Sequence, residues 1–361
     1  MRLRRCTEAG SFGNDLFTKS SRRRFADTRP HLDSHPLPRD ILWFVTADSD
    51  NSPVIAIVGP TASGKSTVAI ETALLLNGEI INCDSVQVYQ QIKIASAKVP
   101  IEERKGVPHH LIDFVSPNIN YTAGEWARDA AREIEAIEGR GRIPLLVGGT
   151  GFYLRALRQP FFSSPDTNSS LRQRINNIRK RHGPEHVHKL LQRLDPKAAK
   201  EFFPRDWPRV QRALEVYLQT GKSLVDQKSV RPDAHESARR LRILALNPPR
   251  ADLYSRIDAR TDEHFKAGLV EEVRDLLARG FPAESNALGA HGYRRVVEYL
   301  QGKRDLPSAI AQTKLDIRHY AKRQLTWFRH EPGVEWIYGF GEKKAVLDSI
   351  IEKLVTGPTT K

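Results

Sequence analysis

Residues Gly59-Pro60-Thr61-Ala62-Ser63-Gly64-Lys65-Ser66 carry the spacing G-x-x-x-x-G-K-S. A loop of this composition turns backbone N–H groups inward around phosphate oxygens. Its lysine adds a point charge, and its serine hydroxyl can ligate Mg²⁺. A glycine-rich turn formed by chance is the competing explanation, and the flanks count against it. The apolar run Val54–Val58 precedes the loop as a buried strand would, and residues 67–76 follow with helical character. The loop implies phosphate and leaves the reaction open.

Three further segments could act beside it. Asp84 follows the strand-like residues 79–83. A carboxylate there can hold Mg²⁺ through water or act as general base on an incoming nucleophile, and it can also simply cap the next turn. Residues 143–147 run into Gly148-Gly149-Thr150-Gly151 with no acid following. An ATP-hydrolysing motor places its metal-binding acid after such a strand, so this ending counts against one. The glycines permit close backbone approach, and Thr150 offers a hydroxyl. Arg256 and Arg260 are spaced i, i+4, so both fall on one helix face and could clamp a diphosphate from the side opposite the loop. A surface helix with routine charge explains that pair equally well.

These groups need a frame. Val54–Val58 and residues 79–83, 143–147 and 241–246 read as short buried strands. Residues 122–138 place Trp126, Ala130, Ile134 and Ile137 on one helical side, and another helix starts near Phe152. Strand–helix alternation of this kind implies an α/β fold, a parallel sheet with flanking helices on both faces. Ligands of such sheets sit at the carboxyl ends of the strands, which gathers the loop, Asp84 and residues 148–151 into one crevice. Residues 164–239 are polar, rich in Arg, His and Gln, helical in period and free of strand-like runs, so they read as a helical insertion domain. The core is then expected from residues 53–163 and 240–345, with a basic, helical C-terminal part.

The chain has 361 residues, enough for two lobes, and a net charge of +14. That excess favours a polyanionic partner such as nucleic acid. It concentrates in residues 286–330, where nine Lys/Arg face three acids. Residues 317–329 interleave basic and aromatic side chains: Arg318, Lys322 and Arg329 near one face, Tyr320, Gln324 and Trp327 near another. Phosphate contacts with base stacking would suit RNA, while Tyr320, Trp327 and Phe328 could equally be core beneath a charged surface. Two cysteines, Cys6 and Cys83, build neither a disulfide framework nor a four-ligand zinc site. No apolar run approaches the roughly 18 residues that span a bilayer. A soluble, cytoplasmic protein is expected, with no membrane partner. Residues 1–52 lack periodicity, and Glu8, Asp15, Asp27, Asp33 and Asp40 argue against a transit peptide. A disordered extension, or a start assigned too far upstream, is expected there.

Taken together, six segments resemble the tRNA dimethylallyltransferases (tRNA isopentenyltransferases) of bacterial type. They are the loop 59–66, Asp84-Ser85-Val86-Gln87-Val88-Tyr89, residues 145–153, residues 209–215, residues 268–274 and residues 320–329, in order across roughly residues 53–340. The resemblance implies a P-loop NTPase-like core. It also implies transfer of a dimethylallyl group from dimethylallyl diphosphate to the exocyclic N6 amine of the adenosine 3′-adjacent to the tRNA anticodon. On that reading Gly59 to Ser66 bind the diphosphate, and Ser66 ligates Mg²⁺. Asp84 is the general base, and Thr150 and Arg260 stabilise the leaving group. Asp84, Ser85, Val86, Gln87, Arg209 and Arg212 then lie on the side of the anticodon stem-loop; the basic helix is expected to add Arg318, Lys322 and Arg323 to the tRNA contacts, and a monomer is expected. The chain departs from the family at His291-Gly292-Tyr293, where Ile-Gly-Tyr is usual, and around Arg318, flanked by Ile317 and His319. Residues 164–172 match the family only loosely. The competing reactions are an adenylate isopentenyltransferase using free nucleotide, a P-loop small-molecule kinase and a nucleic-acid-binding ATPase. The insertion and the basic helix count against the first two, and the missing acid after Val147 counts against the last.

Overall fold

The computed structural model describes residues 53–159, 165, 167–228 and 233–356. The extension expected at residues 1–52 lies outside them. In chain order the elements are β1 (Val54–Val58), α1 (Lys65–Leu75), β2 (Gly78–Asn82), β3 (His109–His110), α2 (Ala123–Glu138), β4 (Ile143–Gly148), α3 (Gly151–Arg158), α4 (Ser169–His182), α5 (Pro184–Leu194), α6 (Pro196–Glu201), α7 (Trp207–Thr220), α8 (Leu224–Lys228), α9 (Glu236–Arg239), β5 (Leu241–Asn247), α10 (Arg250–Lys266), α11 (Leu269–Ala278), α12 (Tyr293–Leu300), α13 (Leu306–His330), β6 (Val334–Tyr338) and α14 (Lys344–Thr356).

All six strands run parallel in the order β3-β2-β4-β1-β5-β6. Every residue of β1, β2 and β4 is buried, which is why β1 and β4 are short continuous apolar runs rather than alternations. Side chains on one face pack with Trp126, Ile134 and Ile137 of α2, and with Leu154 of α3. Those on the other face pack with Val68, Ala69 and Ala73 of α1, and with Val346, Ile350 and Leu354 of α14. The α2 helix starts where a capping box forms: Thr122 Oγ1 accepts the Glu125 N–H, and the Glu125 carboxylate accepts the Thr122 N–H at 2.7 Å.

One acid belongs to the sheet itself. Glu79 of β2 is buried beside Arg140, Arg142 and His110, at 2.7, 3.3 and 2.6 Å. Burial raises its carboxyl pKa, but hydrogen bonds from Arg140 and His110 outweigh that and leave it below its ordinary value. A buried carboxylate is tolerable only with such partners.

The α4 to α8 helices lie between β4 and β5 and have an apolar cluster of their own, built on Ile175, Val187, Leu191, Val210 and Leu214. Two strands were not anticipated. β3 has only two residues. β6 reads Val-Glu-Trp-Ile-Tyr at the sheet edge, with only Ile337 fully buried, so it lacks the apolar run that marks the inner strands. Among the described residues, no helix is long and apolar enough to cross a membrane.

Candidate active site

The site begins where β1 ends. Val58 delivers the chain to the carboxyl edge of the sheet, residues 59–64 curl back, and α1 starts at Lys65. Gly64 makes the turn with φ of 80°, a left-handed conformation that side chains disfavour. An added Cβ there would also lie 2.7 Å from Gly341 N. Lys65 Nζ donates to Pro60 O at 2.7 Å, folding the lysine back across the loop. The loop is tied to the neighbouring strand by one side chain. Gln324 of α13 accepts the Thr61 N–H at 2.9 Å and donates to Gly149 O at 3.0 Å, and it is itself buried.

The second wall is the turn after β2. Asp84 Oδ1 accepts the N–H of Val86 at 2.9 Å, which fixes the carboxylate at the head of residues 84–87. Asn82 supports the turn from below: Nδ2 donates to Asp84 O at 3.2 Å and to Leu111 O at 2.9 Å, while Asn82 O accepts from Trp126 Nε1 at 2.8 Å. Gly148 presses against this turn, and any side chain there would run into the Cys83 carbonyl. That close approach accounts for Gly148, while a side chain at Gly149 would run into the Gln324 amide. Thr150 Oγ1 accepts the Ser85 N–H at 3.0 Å and donates to Ser85 Oγ at 3.4 Å. The Thr150 hydroxyl expected to face the phosphate is thus engaged with the Asp84 turn.

Thr61–Thr67, Asp84–Gln87 and Thr150 line one crevice of about 1040 Å³, together with Arg256, Arg260, His264, Tyr320, Gln324 and Glu342. Gly59 and Pro60 form the base of the loop behind it. Burial pulls the Lys65 pKa down to about 8; nearby Asp84 opposes that shift and Arg260 reinforces it. Burial also lowers Arg260, again with Asp84 opposing. His264 is pushed down to about 4 by burial and then by Arg260, so it is neutral at physiological pH. The crevice therefore sets two desolvated cations, Lys65 and Arg260, near the Asp84 carboxylate, an arrangement suited to an anionic leaving group beside a base. Arg256, the other half of the i, i+4 pair, is held by Glu342 at 2.9 Å.

The remaining candidates lie farther out. Gln87 lines the crevice, with Nε2 bonded to Ser96 O and Ala97 O at 3.2 and 3.1 Å. Lys322 and Arg323 line a second cavity of about 560 Å³ with Arg155, His319, Trp327 and His330. Arg318 is paired with Asp258, Nε to Oδ1 at 2.8 Å. On α7, Arg209 bonds Asp206 at 2.8 Å, and Arg212 donates to Pro165 O at 2.7 Å. Neither lines the crevice. The aromatic residues of α13 divide. Phe328 is core, Tyr320 is crevice wall, and Trp327 lies over Gly151 beneath the Arg155 guanidinium at 4.1 Å. Sequence reasoning missed Gln324 as a bridge, and Glu342 and His264 altogether. Gln324 stands one turn from Tyr320, and that shared helix face was the available signal.

The family model described as IPP transferase matches residues 87–331, and one described as isopentenyl transferase matches residues 52–113. The tRNA dimethylallyltransferase of Solibacter usitatus is 43% identical over 302 residues, covering 84% of this chain and 98% of that protein. That of Carboxydothermus hydrogenoformans is 43% identical over 304 residues, with 84% and 96% covered. Among solved structures, the tRNA isopentenylpyrophosphate transferase of Bacillus halodurans superposes with a TM-score of 0.60 at 36% identity, covering 83% of this chain and 96% of that one. A eukaryotic dimethylallyltransferase acting on tRNA gives a TM-score of 0.65 at 30% identity, with 79% and 73% covered. With the loop, the Asp84 turn and the Gly-Gly-Thr ending joined in one crevice, and with relatives of this similarity along most of its length, the chain belongs to the tRNA dimethylallyltransferase family.

Proposed function

We propose that the chain transfers the dimethylallyl group of dimethylallyl diphosphate to the N6 amine of the tRNA adenosine 3′-adjacent to the anticodon, giving N6-isopentenyladenosine and diphosphate. The observation that carries this reading is the joining of a phosphate loop and an Asp84 carboxylate in one crevice, in a chain that aligns with tRNA dimethylallyltransferases over 84% of its length.

The chemistry follows from the groups present. The residue 59–66 loop receives the diphosphate. Ser63 Oγ, buried and without a hydrogen-bond partner, fits a loop built to meet phosphate oxygens. Lys65 and Arg260 stabilise negative charge as the allylic carbon–oxygen bond breaks. The exocyclic amine of adenine is a weak nucleophile because its lone pair is delocalised into the ring. Asp84 accepts its proton as the new C–N bond forms. Thr150 holds the turn that aims Asp84, through Ser85. The adenosine leaves its stack to reach the crevice, as base-modifying enzymes require.

Mg²⁺ fits this donor set. Ser66 supplies a hydroxyl oxygen at the loop, and the metal favours a few protein oxygens completed by substrate phosphate and water. Among the described residues no cluster of His, Cys, Asp and Glu would hold a metal by itself, so the ion would arrive with the diphosphate. When bound, it would neutralise charge on the leaving group.

The basic side chains of α13 and the insertion, residues 164–239, hold the anticodon stem-loop: Lys322, Arg323 and Arg318 on one side, Arg209 and Arg212 on the other. Every group named comes from one chain, and the enzyme acts as a monomer. The test is incubation with prenyl-labelled dimethylallyl diphosphate and either total tRNA, AMP or ATP alone. Label on tRNA is the expected result. Label only on AMP selects a free-nucleotide enzyme, and ATP consumption without prenyl transfer abandons both.

A further inference from the structure

The segment after β6 passes directly over the phosphate loop. Gly341 N–H donates to Ser63 O at 2.9 Å. The Phe340 ring sits 4.2 Å from the Arg256 guanidinium carbon. Glu342 then places both carboxylate oxygens on Arg256 Nη1, at 2.9 and 3.0 Å. The same carboxylate abuts the loop, since a Cβ added at Gly64 would lie 2.6 Å from Glu342 Oε2. Arg256 and Glu342 both line the crevice with Arg260 and the loop. Glu342 lies beyond the residues matched by either family model, and the mechanism above gives it no role.

We infer that Glu342 sets the polyphosphate length that this loop accepts, favouring a diphosphate over a triphosphate. A G-x-x-x-x-G-K-S loop by itself serves either ligand. What separates them is the added charge and the phosphoryl group that must go beyond the first two. Among the described residues four cationic side chains line the crevice, Lys65, Lys98, Arg256 and Arg260, and Lys98 is already paired with Asp113. Glu342 neutralises Arg256 and leaves two to meet the anion. A third phosphoryl meets an Arg256 guanidinium already engaged and the Glu342 carboxylate beside it. Discrimination by a repulsive group against the wrong ligand needs no extra contact to the right one. The pair is about two-fifths exposed at each partner, so its loss need not disturb the core.

The inference rests on reading the crevice as a prenyl-diphosphate site, and its test does not use turnover. Inorganic pyrophosphate and inorganic tripolyphosphate are titrated calorimetrically, with Mg²⁺, into the full chain and into Glu342→Gln. The expected result is that the substitution tightens tripolyphosphate binding by about tenfold or more, while pyrophosphate changes by less than about threefold. Adding Arg256→Ala to the Gln variant should reduce that gain, because part of it comes from the freed guanidinium and the rest from removal of the carboxylate. Equal tightening of both ligands, or of neither, overturns the inference. So does a gain undiminished by loss of Arg256. Pyrophosphate binding with no prenyl transfer by the wild type would sink the reaction and leave Glu342 standing. Prenyl transfer with tripolyphosphate binding unchanged in Glu342→Gln would do the reverse.

Discussion

Replacing Gln324 by Ala should loosen the phosphate loop from inside the protein. The amide makes two hydrogen bonds that join separate parts of the site, to Thr61 N at 2.9 Å and Gly149 O at 3.0 Å. The bond to Gly149 is buried, so its loss leaves a carbonyl without a partner, at about 1–3 kcal/mol. The bond to Thr61 is only partly buried, and water can replace it at a cost nearer 0.5–1 kcal/mol. Together these give a loss of about 1.5–4 kcal/mol in unfolding free energy. The functional effect is on position: with Thr61 released, the loop no longer presents its N–H groups in a fixed cradle. Dimethylallyl diphosphate KM should rise about tenfold, more than kcat falls. Gln324→Glu should be at least as damaging, because it sets a carboxylate oxygen against the Gly149 carbonyl. Urea unfolding and initial rates at varied donor concentration read both quantities. An unfolding free energy within about 0.5 kcal/mol of wild type, with unchanged donor KM, would refute the bridge as the loop's anchor.

Other predictions address the charges. Lys65 titrates near 8 in the crevice, so donor binding is supported below that pH and weakens above it. The free-enzyme KM for dimethylallyl diphosphate should rise about tenfold per pH unit beyond pH 9, and a flat KM from pH 7 to 9.5 would contradict this. The sign for stability is opposite. The unfolded lysine keeps its proton up to its ordinary pKa of 10.5, so between about 8 and 10.5 this group makes the fold more stable as pH rises. Asp84→Asn should keep tRNA affinity and lose most turnover, on the order of 10²–10⁴; wild-type-like rates would remove Asp84 from its role as base. Lys322→Ala should weaken tRNA binding similarly for all sequences and lower the salt slope by about 1, and an unchanged slope would return Lys322 to an ordinary solvated surface.

The parts of the site legible in the sequence are those that local chemistry dictates. Glycines are required where backbone must turn or approach closely, as at Gly64 and Gly148, and a carboxylate at the end of a buried strand must face the crevice, as at Asp84. Four of the six strands showed themselves as buried apolar runs. β3 and β6 did not, being a two-residue strand and a half-exposed edge strand. Long-range polar pairing leaves no periodic trace at all. The 263-residue separation between Thr61 and Gln324, and the 86-residue separation between Arg256 and Glu342, explain why neither contact was foreseen. The same blindness applies to Arg318, whose pairing with Asp258 only the fold reveals.

The central claim is that the loop holds a leaving group, so that the bond broken joins carbon to oxygen and not phosphorus to oxygen. Dimethylallyl diphosphate labelled with tritium in the prenyl group and with phosphorus-32 in the diphosphate, incubated with the enzyme, Mg²⁺ and tRNA, tests it directly. The account predicts tritium on one adenosine beside the anticodon and all phosphorus-32 in inorganic pyrophosphate, released in equal amount. Phosphorus-32 on the tRNA, or pyrophosphate release without tritium transfer, would contradict it.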